Sequence, residues 1–161
     1  GAFMKYPLSA ATRKGLSDAA YEEAGYFGKK KFGIFNAELP LFEEVATTLN
    51  LEMVKAGENI WWRRHPLVFV VEAADDICYN IVDLEDAFTT GELPFDVVRN
   101  ALFDLASRPN RDMSHMNEAE QIAFLRAVSI SKGIESCLEA FKENYEAIMA
   151  GTFSQSLVSA G

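Results

Sequence analysis

Apolar residues recur at helical spacing in four stretches of the chain, and proline or glycine separates the stretches. They run from Pro40 to Asn50, from Pro66 to Gly91, from Pro94 to Pro109 and from about Glu118 to Ala150. No segment shows a convincing alternation of apolar and polar residues, which would mark a half-buried strand. The pattern therefore predicts an all-α chain built as a multi-helix bundle.

The ends of these helices carry local start and stop signals. Pro66 and Pro94 suit a first helical turn, because the fixed φ of proline is already helical there. Asn117 is a suitable N-cap, Gly151 is expected to end the last helix, and Gly133 could bend it. The faces expected to meet the core are Leu41, Phe42, Val45, Ala46 and Leu49 in the first helix, Val97, Val98, Leu102 and Leu105 in the third, and Ile134, Cys137, Leu138, Phe141, Tyr145 and Ile148 in the last.

The second helix carries an acidic stripe on an otherwise apolar cylinder. At about 100° per residue, the stripe occupies a sector on the order of 100° wide; its members are Glu72, Asp75, Asp76, Tyr79, Asp83 and Asp86. The remaining surface is more apolar than a surface helix needs, which predicts a central helix. Buried carboxylates must be paired, hydrogen-bonded or given a cation. A metal ion is one solution, and a solvated helix face is the alternative.

Composition and charge limit the possible functions. A chain of 161 residues that is 49% apolar can form one globular domain, and its net charge of −9 argues against a general nucleic-acid or anionic-membrane surface. No stretch of about 18 uncharged apolar residues occurs, so we expect no membrane association. Cys78 and Cys137 stand at apolar helical positions, where a free cysteine behaves as a small hydrophobe, and a reducing cytoplasm fits.

The segment 8–38 differs from the rest because its periodicity is weak and it contains three consecutive lysines, Lys29 to Lys31. We expect a loop-rich segment on the substrate side of the molecule. The lysines could form a solvated turn or an anion clamp.

Several motifs in the chain identify a family. Arg64–Leu67 (RHPL) is followed by Val71–Ile77 (VEAADDI) and Asp83–Asp86 (DLED), with Met4–Pro7, Lys30–Phe35, Asn144–Ile148 and Gly151–Phe153 as supporting segments in the expected order. This arrangement closely resembles the deoxyguanosine triphosphate triphosphohydrolase family of HD-type phosphohydrolases. The resemblance spans nearly the whole chain and implies the C-terminal half of such an enzyme. The start at Gly1, without methionine, is expected of a chain cut from a longer one.

The resemblance implies hydrolysis of a deoxynucleoside triphosphate to the deoxynucleoside and intact triphosphate, with water attacking the α-phosphorus beside a divalent metal. In the family, two histidines, an aspartate next to the second of them and a distant aspartate hold the metal, and Asp75 matches the distant aspartate. Imidazole and carboxylate ligands would accept manganese, magnesium, iron or cobalt. Tyr79 and Asp83 match positions that meet the sugar, where the aspartate accepts a hydrogen bond from the 3′-hydroxyl.

By the same resemblance, Lys5 and Tyr6 line the triphosphate, and Lys31, in preference to Lys30, adds a second cation. Arg126 could be a further phosphate ligand. Its alternative role is an ion pair with a glutamate such as Glu118 or Glu120.

The histidine and His-Asp ligands of the family are not in this sequence. The two histidines are His65 and His115, and neither precedes an aspartate. His65 is expected to cap or pack the helix that starts at Pro66. We therefore expect this chain to be inactive alone. Its expected partners are a deoxynucleoside triphosphate substrate and the missing N-terminal half of the enzyme. The resemblance also implies a homo-oligomer.

Two other classes of protein compete with this interpretation. A carboxylate-bridged di-metal bundle needs Glu-x-x-His pairs, but Trp62 and Asp112 stand three residues before the histidines. A non-catalytic helical interaction module, which would dock a basic partner on the acidic stripe, is the remaining alternative.

Overall fold

The structure is a computed structural model, and it describes residues 4–15, 17 and 31–161. The described part of the chain is mostly helical, as predicted. Its elements are α1 (Ala10–Gly15), a 3-10 turn (Asn36–Glu38), α2 (Leu39–Thr48), β1 (Met53–Ala56), β2 (Asn59–Trp62), α3 (Pro66–Thr89), α4 (Phe95–Leu105), α5 (Glu118–Glu143), α6 (Tyr145–Met149) and α7 (Leu157–Ala160). None of the described helices is both long and apolar enough to cross a membrane.

The chain divides into two compact units. The first consists of Gly1–Glu72 and Glu143–Ser156, and the second consists of Ala73–Lys142 and Leu157–Gly161. The unit boundaries fall within α3 and just before the end of α5.

The first unit contains a β-hairpin that the sequence analysis did not predict. β1 and β2 pair antiparallel, with Met53 opposite Trp62 and Ala56 opposite Asn59. Trp61 and Trp62 are both buried, so β2 does not alternate between covered and exposed side chains. Because each strand has only four residues and β2 lacks the alternating signature, the pattern could not reveal the hairpin.

Helix α2 lies where the pattern predicted a helix, but its buried face is narrower. Phe42 and Ala46 are buried, and the Phe42 ring meets the Trp62 ring edge-on at 5.1 Å between centroids. Leu41 and Leu49 were expected in the core, yet both are exposed. The small core around Trp62 takes one row of α2 side chains, so the neighbouring apolar positions remain outside it.

In the second unit, α4 and the first half of α5 provide buried apolar residues. Val98, Leu102, Ile122 and Leu125 are all buried. The buried Ser129 hydroxyl donates a hydrogen bond of 3.0 Å to the Leu102 carbonyl, which satisfies the only polar group of that side chain. Val97 and Leu105, also predicted for the core, are about half exposed, so the predicted face of α4 was too wide.

The N-cap of α5 is confirmed. The Asn117 side chain accepts a hydrogen bond from the Glu120 N–H at 2.9 Å, and the Glu120 carboxylate accepts one from the Asn117 N–H at 2.8 Å. These reciprocal bonds form a capping box.

The predicted last helix is interrupted at Asn144, a poor helix former, so α5 ends at Glu143 and α6 covers Tyr145–Met149. α5 runs through Gly133 without a break. A Cβ at Gly133 would lie 3.3 Å from Ile77 Cγ1, so the glycine allows close packing against Ile77. Of the face predicted for the core, Cys137 and Ile148 are buried, while Ile134, Leu138 and Tyr145 are exposed.

Helix α3 begins at Pro66 and ends at Thr89, two residues before Gly91, as predicted. Among the described residues, the buried face of α3 is narrower than the apolar sector from which a central helix was predicted. Its buried side chains form one stripe: Val68, Phe69, Ala73, Ile77 and Ile81. Leu67, Val70 and Cys78 are exposed, so Cys78 is not the buried hydrophobe that its apolar neighbours suggested.

Candidate substrate and metal site

Three residues assigned to the site share one exposed face of α3. Asp75, Tyr79 and Asp83 are spaced by four residues, which places them one above another along the helix. All three are exposed, and Tyr79 has a relative exposure of 64%. Among the described residues, Asp83 forms no ion pair. This face can therefore present a carboxylate and a phenol to a ligand.

The glutamates on the same helix are in a different environment. In the first unit, Glu72 accepts a hydrogen bond of 2.7 Å from the guanidinium of Arg64. In the second unit, Glu85 pairs with Arg126. These contacts hold two carboxylates of α3 in place and leave them little exposed.

The pairing of Arg126 differs from the partners considered for it. Its carboxylate partner is Glu85 rather than Glu118 or Glu120, and Glu120 instead caps α5. The Arg126 side chain nevertheless keeps 37% of its surface exposed. Since a guanidinium has five N–H donors, Arg126 can hold Glu85 and still donate to another acceptor.

Two sequence-distant motifs meet in the first unit. The Lys31 ammonium lies 5.3 Å from the centroid of the Tyr6 ring, a cation–π distance. A Cβ at Gly33 would lie 2.7 Å from the Tyr6 carbonyl oxygen, so only glycine allows the two segments to approach this closely. Lys29 and Lys30 lie outside the described residues.

The backbone after Tyr6 is tied to the hairpin and to the strand-like segment at Ile34. The Trp62 N–H donates to the Pro7 carbonyl at 3.0 Å, and the Ile34 N–H donates to the Leu8 carbonyl at 3.2 Å. Leu8 and Ile34 are buried. This framework fixes where Lys5 and Tyr6 leave the core.

The assigned residues thus form two groups. Tyr6 and Lys31 are in contact, and Lys5 precedes them in the first unit; Asp75, Tyr79, Asp83 and Arg126 belong to the second unit. Within the described residues, no three His, Cys, Asp or Glu side chains are close enough together to hold a metal ion. Asp75 alone does not make a metal site, because protein metal centres use several ligands.

The histidines do not supply the missing ligands. His65 Nδ1 accepts a hydrogen bond of 3.2 Å from the Leu67 N–H at the start of α3, which confirms the capping role. His115 lies near the exposed Asp112, whose pKa is lowered mainly by a hydrogen bond from the Ser114 N–H, with a smaller contribution from His115. Neither histidine belongs to a cluster with Asp75 among the described residues.

The structure also reveals polar surfaces that the motifs did not indicate. A cavity of about 530 Å³ in the second unit is lined by Asp76, Asn80, Lys132 and Glu135, among others. Lys132 and Glu135 form an ion pair at 2.7 Å, which raises the pKa of Lys132. Arg63 lines a second cavity, in the first unit. The only sequence signal for Arg63 was its position next to the RHPL motif.

Comparison with known proteins relates the chain to one family. No family model matches it. A deoxyguanosinetriphosphate triphosphohydrolase-like protein of Synechocystis is 43% identical over 129 residues, covering 80% of this chain and 29% of the relative. A protein of the same description from Pseudomonas aeruginosa is 31% identical over 163 residues, covering 98% and 34%. A deoxyguanosinetriphosphate triphosphohydrolase of Yersinia pestis is 31% identical over 150 residues, covering 80% and 28%.

The chain spans about a third of the length of these relatives, less than the half expected from the motifs. The matched part of each relative is its C-terminal part. The chain belongs to the deoxyguanosinetriphosphate triphosphohydrolase-like family and corresponds to its C-terminal part.

Proposed function

We propose that this chain supplies substrate-binding residues and one metal ligand to a metal-dependent deoxynucleoside triphosphate triphosphohydrolase. The observation that carries the proposal is the exposed face of α3, on which Asp75, Tyr79 and Asp83 follow one another at four-residue spacing. In this proposal, the histidine and His-Asp ligands come from the rest of a longer polypeptide, because the described residues hold no complete metal site.

Asp75 is the residue proposed to bind the metal, through its carboxylate. A divalent ion at this position, manganese, magnesium, iron or cobalt, would polarise a phosphoryl oxygen and lower the pKa of a bound water. Asp75 is exposed on the helix surface, so its carboxylate can be reached by ligands from another segment.

Tyr79 and Asp83 are proposed to bind the deoxyribose. Asp83 would accept a hydrogen bond from the 3′-hydroxyl, and its carboxylate has no ion-pair partner among the described residues to compete for that bond. A hydrogen bond to a charged group contributes about 1.5–3 kcal/mol. The Tyr79 ring would pack against the sugar one helical turn away.

Lys5, Tyr6 and Lys31 are proposed to bind the triphosphate. Lysine brings a compact positive charge, and the tyrosine hydroxyl can donate to a phosphate oxygen. The contact between Lys31 and the Tyr6 ring supports a shared role, because it keeps the ammonium beside the phenol. Arg126 is the further candidate for a phosphate, with Glu85 fixing its guanidinium.

The proposal is tested by replacing Asp75 in the full-length protein. Asp75→Asn is expected to remove bound metal and to lower triphosphate release by more than about 100-fold, because a direct ligand is lost. Asp86→Asn is the matched control, since Asp86 is an exposed aspartate of the same helix with no assigned role. Metal content and triphosphate release are measured together.

Retention of metal and activity by Asp75→Asn would contradict the assignment. If no metal or nucleotide dependence were found in the full-length protein, and neutralising Asp76 and Asp86 abolished binding of a basic protein partner, the interaction-module interpretation would replace the proposal.

A further inference from the structure

The first unit contains a cavity of about 520 Å³ whose wall carries a local concentration of positive charge. Three elements form it: the turn after α2, the residues between β2 and α3, and the turn after α6. Arg63, Arg64 and His65 line it next to one carboxylate, that of Glu52. Since the chain as a whole has a net charge of −9, this surface differs from the average of the molecule.

The guanidinium of Arg63 is fixed in the cavity wall by one hydrogen bond, and another of its N–H donors has no acceptor. Its Nη1 donates to the Gly151 carbonyl at 3.1 Å. A Cβ at Gly151 would lie 2.8 Å from Arg63 Cβ, so glycine is required for the arginine to lie there. The Arg63 Nε is buried and has no hydrogen-bond partner. A buried donor without an acceptor is unfavourable, which indicates a place for an acceptor atom.

The carboxylate nearest to this donor is not firmly bound. Glu52 Oε2 lies 3.4 Å from the Arg63 Nε, an ion-pair distance without hydrogen-bond geometry. The Glu52 side chain is 63% exposed. A diffusible anion can therefore compete with Glu52 for this donor, because the carboxylate is largely exposed and makes no hydrogen bond to the Arg63 Nε.

Arg64 adds a second fixed cation. Its guanidinium is held between the Glu72 carboxylate and the Phe69 ring, at 4.6 Å from the ring centroid, and its Nε is also buried without a hydrogen-bond partner. The first N–H groups of α3 are already used: Leu67 donates to the His65 ring and Val68 to the His65 carbonyl. Among the described residues that line this cavity, the buried side-chain donors without a partner are the Nε groups of Arg63 and Arg64.

We infer that this cavity binds a phosphate group, with Arg63 as the principal donor and Glu52 as the carboxylate that the phosphate displaces. Arginine presents several N–H donors in a fixed plane, which suits the oxygens of a phosphate. The volume lies in the range of small-molecule sites. None of Lys5, Tyr6 and Lys31, the residues proposed for the substrate triphosphate, lines this cavity.

The test is calorimetric titration of inorganic phosphate into the protein and its variants. Arg63→Gln is expected to weaken phosphate binding at least tenfold. Glu52→Gln is expected to strengthen it at least threefold, because the competing carboxylate is gone; this exposed side chain can be replaced without disturbing the core. Glu58→Gln is the matched control for a change of one charge, since Glu58 lies exposed in the turn between β1 and β2.

Lys31→Ala controls for phosphate bound on the proposed substrate side and is expected to leave this binding unchanged. The proposal is overturned if Arg63→Gln binds phosphate as tightly as the unmodified protein, or if Glu58→Gln strengthens binding as much as Glu52→Gln. Acetate binding as tight as phosphate binding would replace the phosphate by a carboxylate and would equally overturn the stated ligand class.

Discussion

Glu72 and Glu85 on α3 each contact an arginine and are largely covered, whereas Asp75, Asp83 and Asp86 on the same helix are exposed. The sequence alone placed these residues in one acidic stripe or beside it. The structure separates carboxylates that hold the fold together from carboxylates that a ligand can reach. Exposed charges cost little, so the aspartates need no metal ion for the sake of stability.

The exposure of these aspartates bears on the evidence for a metal or substrate site. Buried, uncompensated carboxylates would have required a cation, but Asp75 and Asp83 are exposed in the described structure. Ligand binding on this face is instead supported by the family of the chain and by the four-residue spacing of Asp75, Tyr79 and Asp83.

The largest stability effect is expected at the covered pair in the first unit. Arg64 and Glu72 retain only 16% and 18% of their side-chain exposure, so Glu72→Ala leaves a poorly solvated guanidinium without its carboxylate. We expect a loss of about 2–3 kcal/mol in the free energy of unfolding. Urea denaturation measures it. Asp86→Ala, on the exposed face, should change stability by less than about 0.5 kcal/mol. Equal losses of stability in the two variants would contradict the distinction between covered and exposed carboxylates of α3.

A smaller effect is expected at the pair of Glu85 and Arg126. The arginine is more exposed than Arg64, so solvent replaces part of the lost interaction. Glu85→Ala should lower the free energy of unfolding by about 1 kcal/mol, and a double-mutant cycle with Arg126→Ala should assign most of that loss to the pair. Additive losses would show that the two side chains do not interact.

The smallest effect on stability is expected at the two cysteines, of which Cys137 is buried and Cys78 is exposed. Burial raises the pKa of the Cys137 thiol, and the charge of Asp76 adds to this. In the unfolded chain the thiol ionises near its ordinary pKa of about 8.5, while in the folded chain it remains protonated to higher pH. Stability should therefore fall as pH rises above about 8.5, until the raised folded pKa is reached.

Cys137→Ala should remove the contribution of this thiol to the loss of stability at alkaline pH. Urea denaturation at pH 7.5 and pH 9.5 can measure the change. Cys78→Ala is the control, because Cys78 is exposed. A thiol reagent at neutral pH should modify Cys78 quickly and Cys137 slowly. Rapid modification of Cys137 in the folded protein would place it outside the core.

The sequence predicted those structural features that depend only on neighbouring residues, such as helix starts and caps. Pro66 marks the start of α3, and Asn117 forms the capping box of α5. These signals act within one helical turn, so a single sequence contains them. The motif spacing likewise placed Asp75, Tyr79 and Asp83 on one helix face, because helical geometry alone decides it.

Features that depend on distant contacts could not be predicted. Trp61 and Trp62 belong to a short strand that pairs with β1, and Trp62 packs into the core around Phe42. Leu41 and Ile134 have the spacing of core residues but remain exposed, since periodicity shows which positions are apolar and not how many the core covers. The local pattern likewise does not predict the ion pair between Arg126 and Glu85, because the two residues are 41 positions apart in the sequence.

The proposed binding of the substrate to the exposed face of α3 is tested most directly by combining Asp83→Ala with removal of the 3′-hydroxyl from the substrate. In the full-length protein, kcat/KM is compared for the preferred deoxynucleoside triphosphate and its 2′,3′-dideoxy analogue. We expect kcat/KM to fall by about 10- to 100-fold from either change, with no further loss from both and with unchanged bound metal. Full and independent losses from the two changes, or no loss from Asp83→Ala, would contradict it.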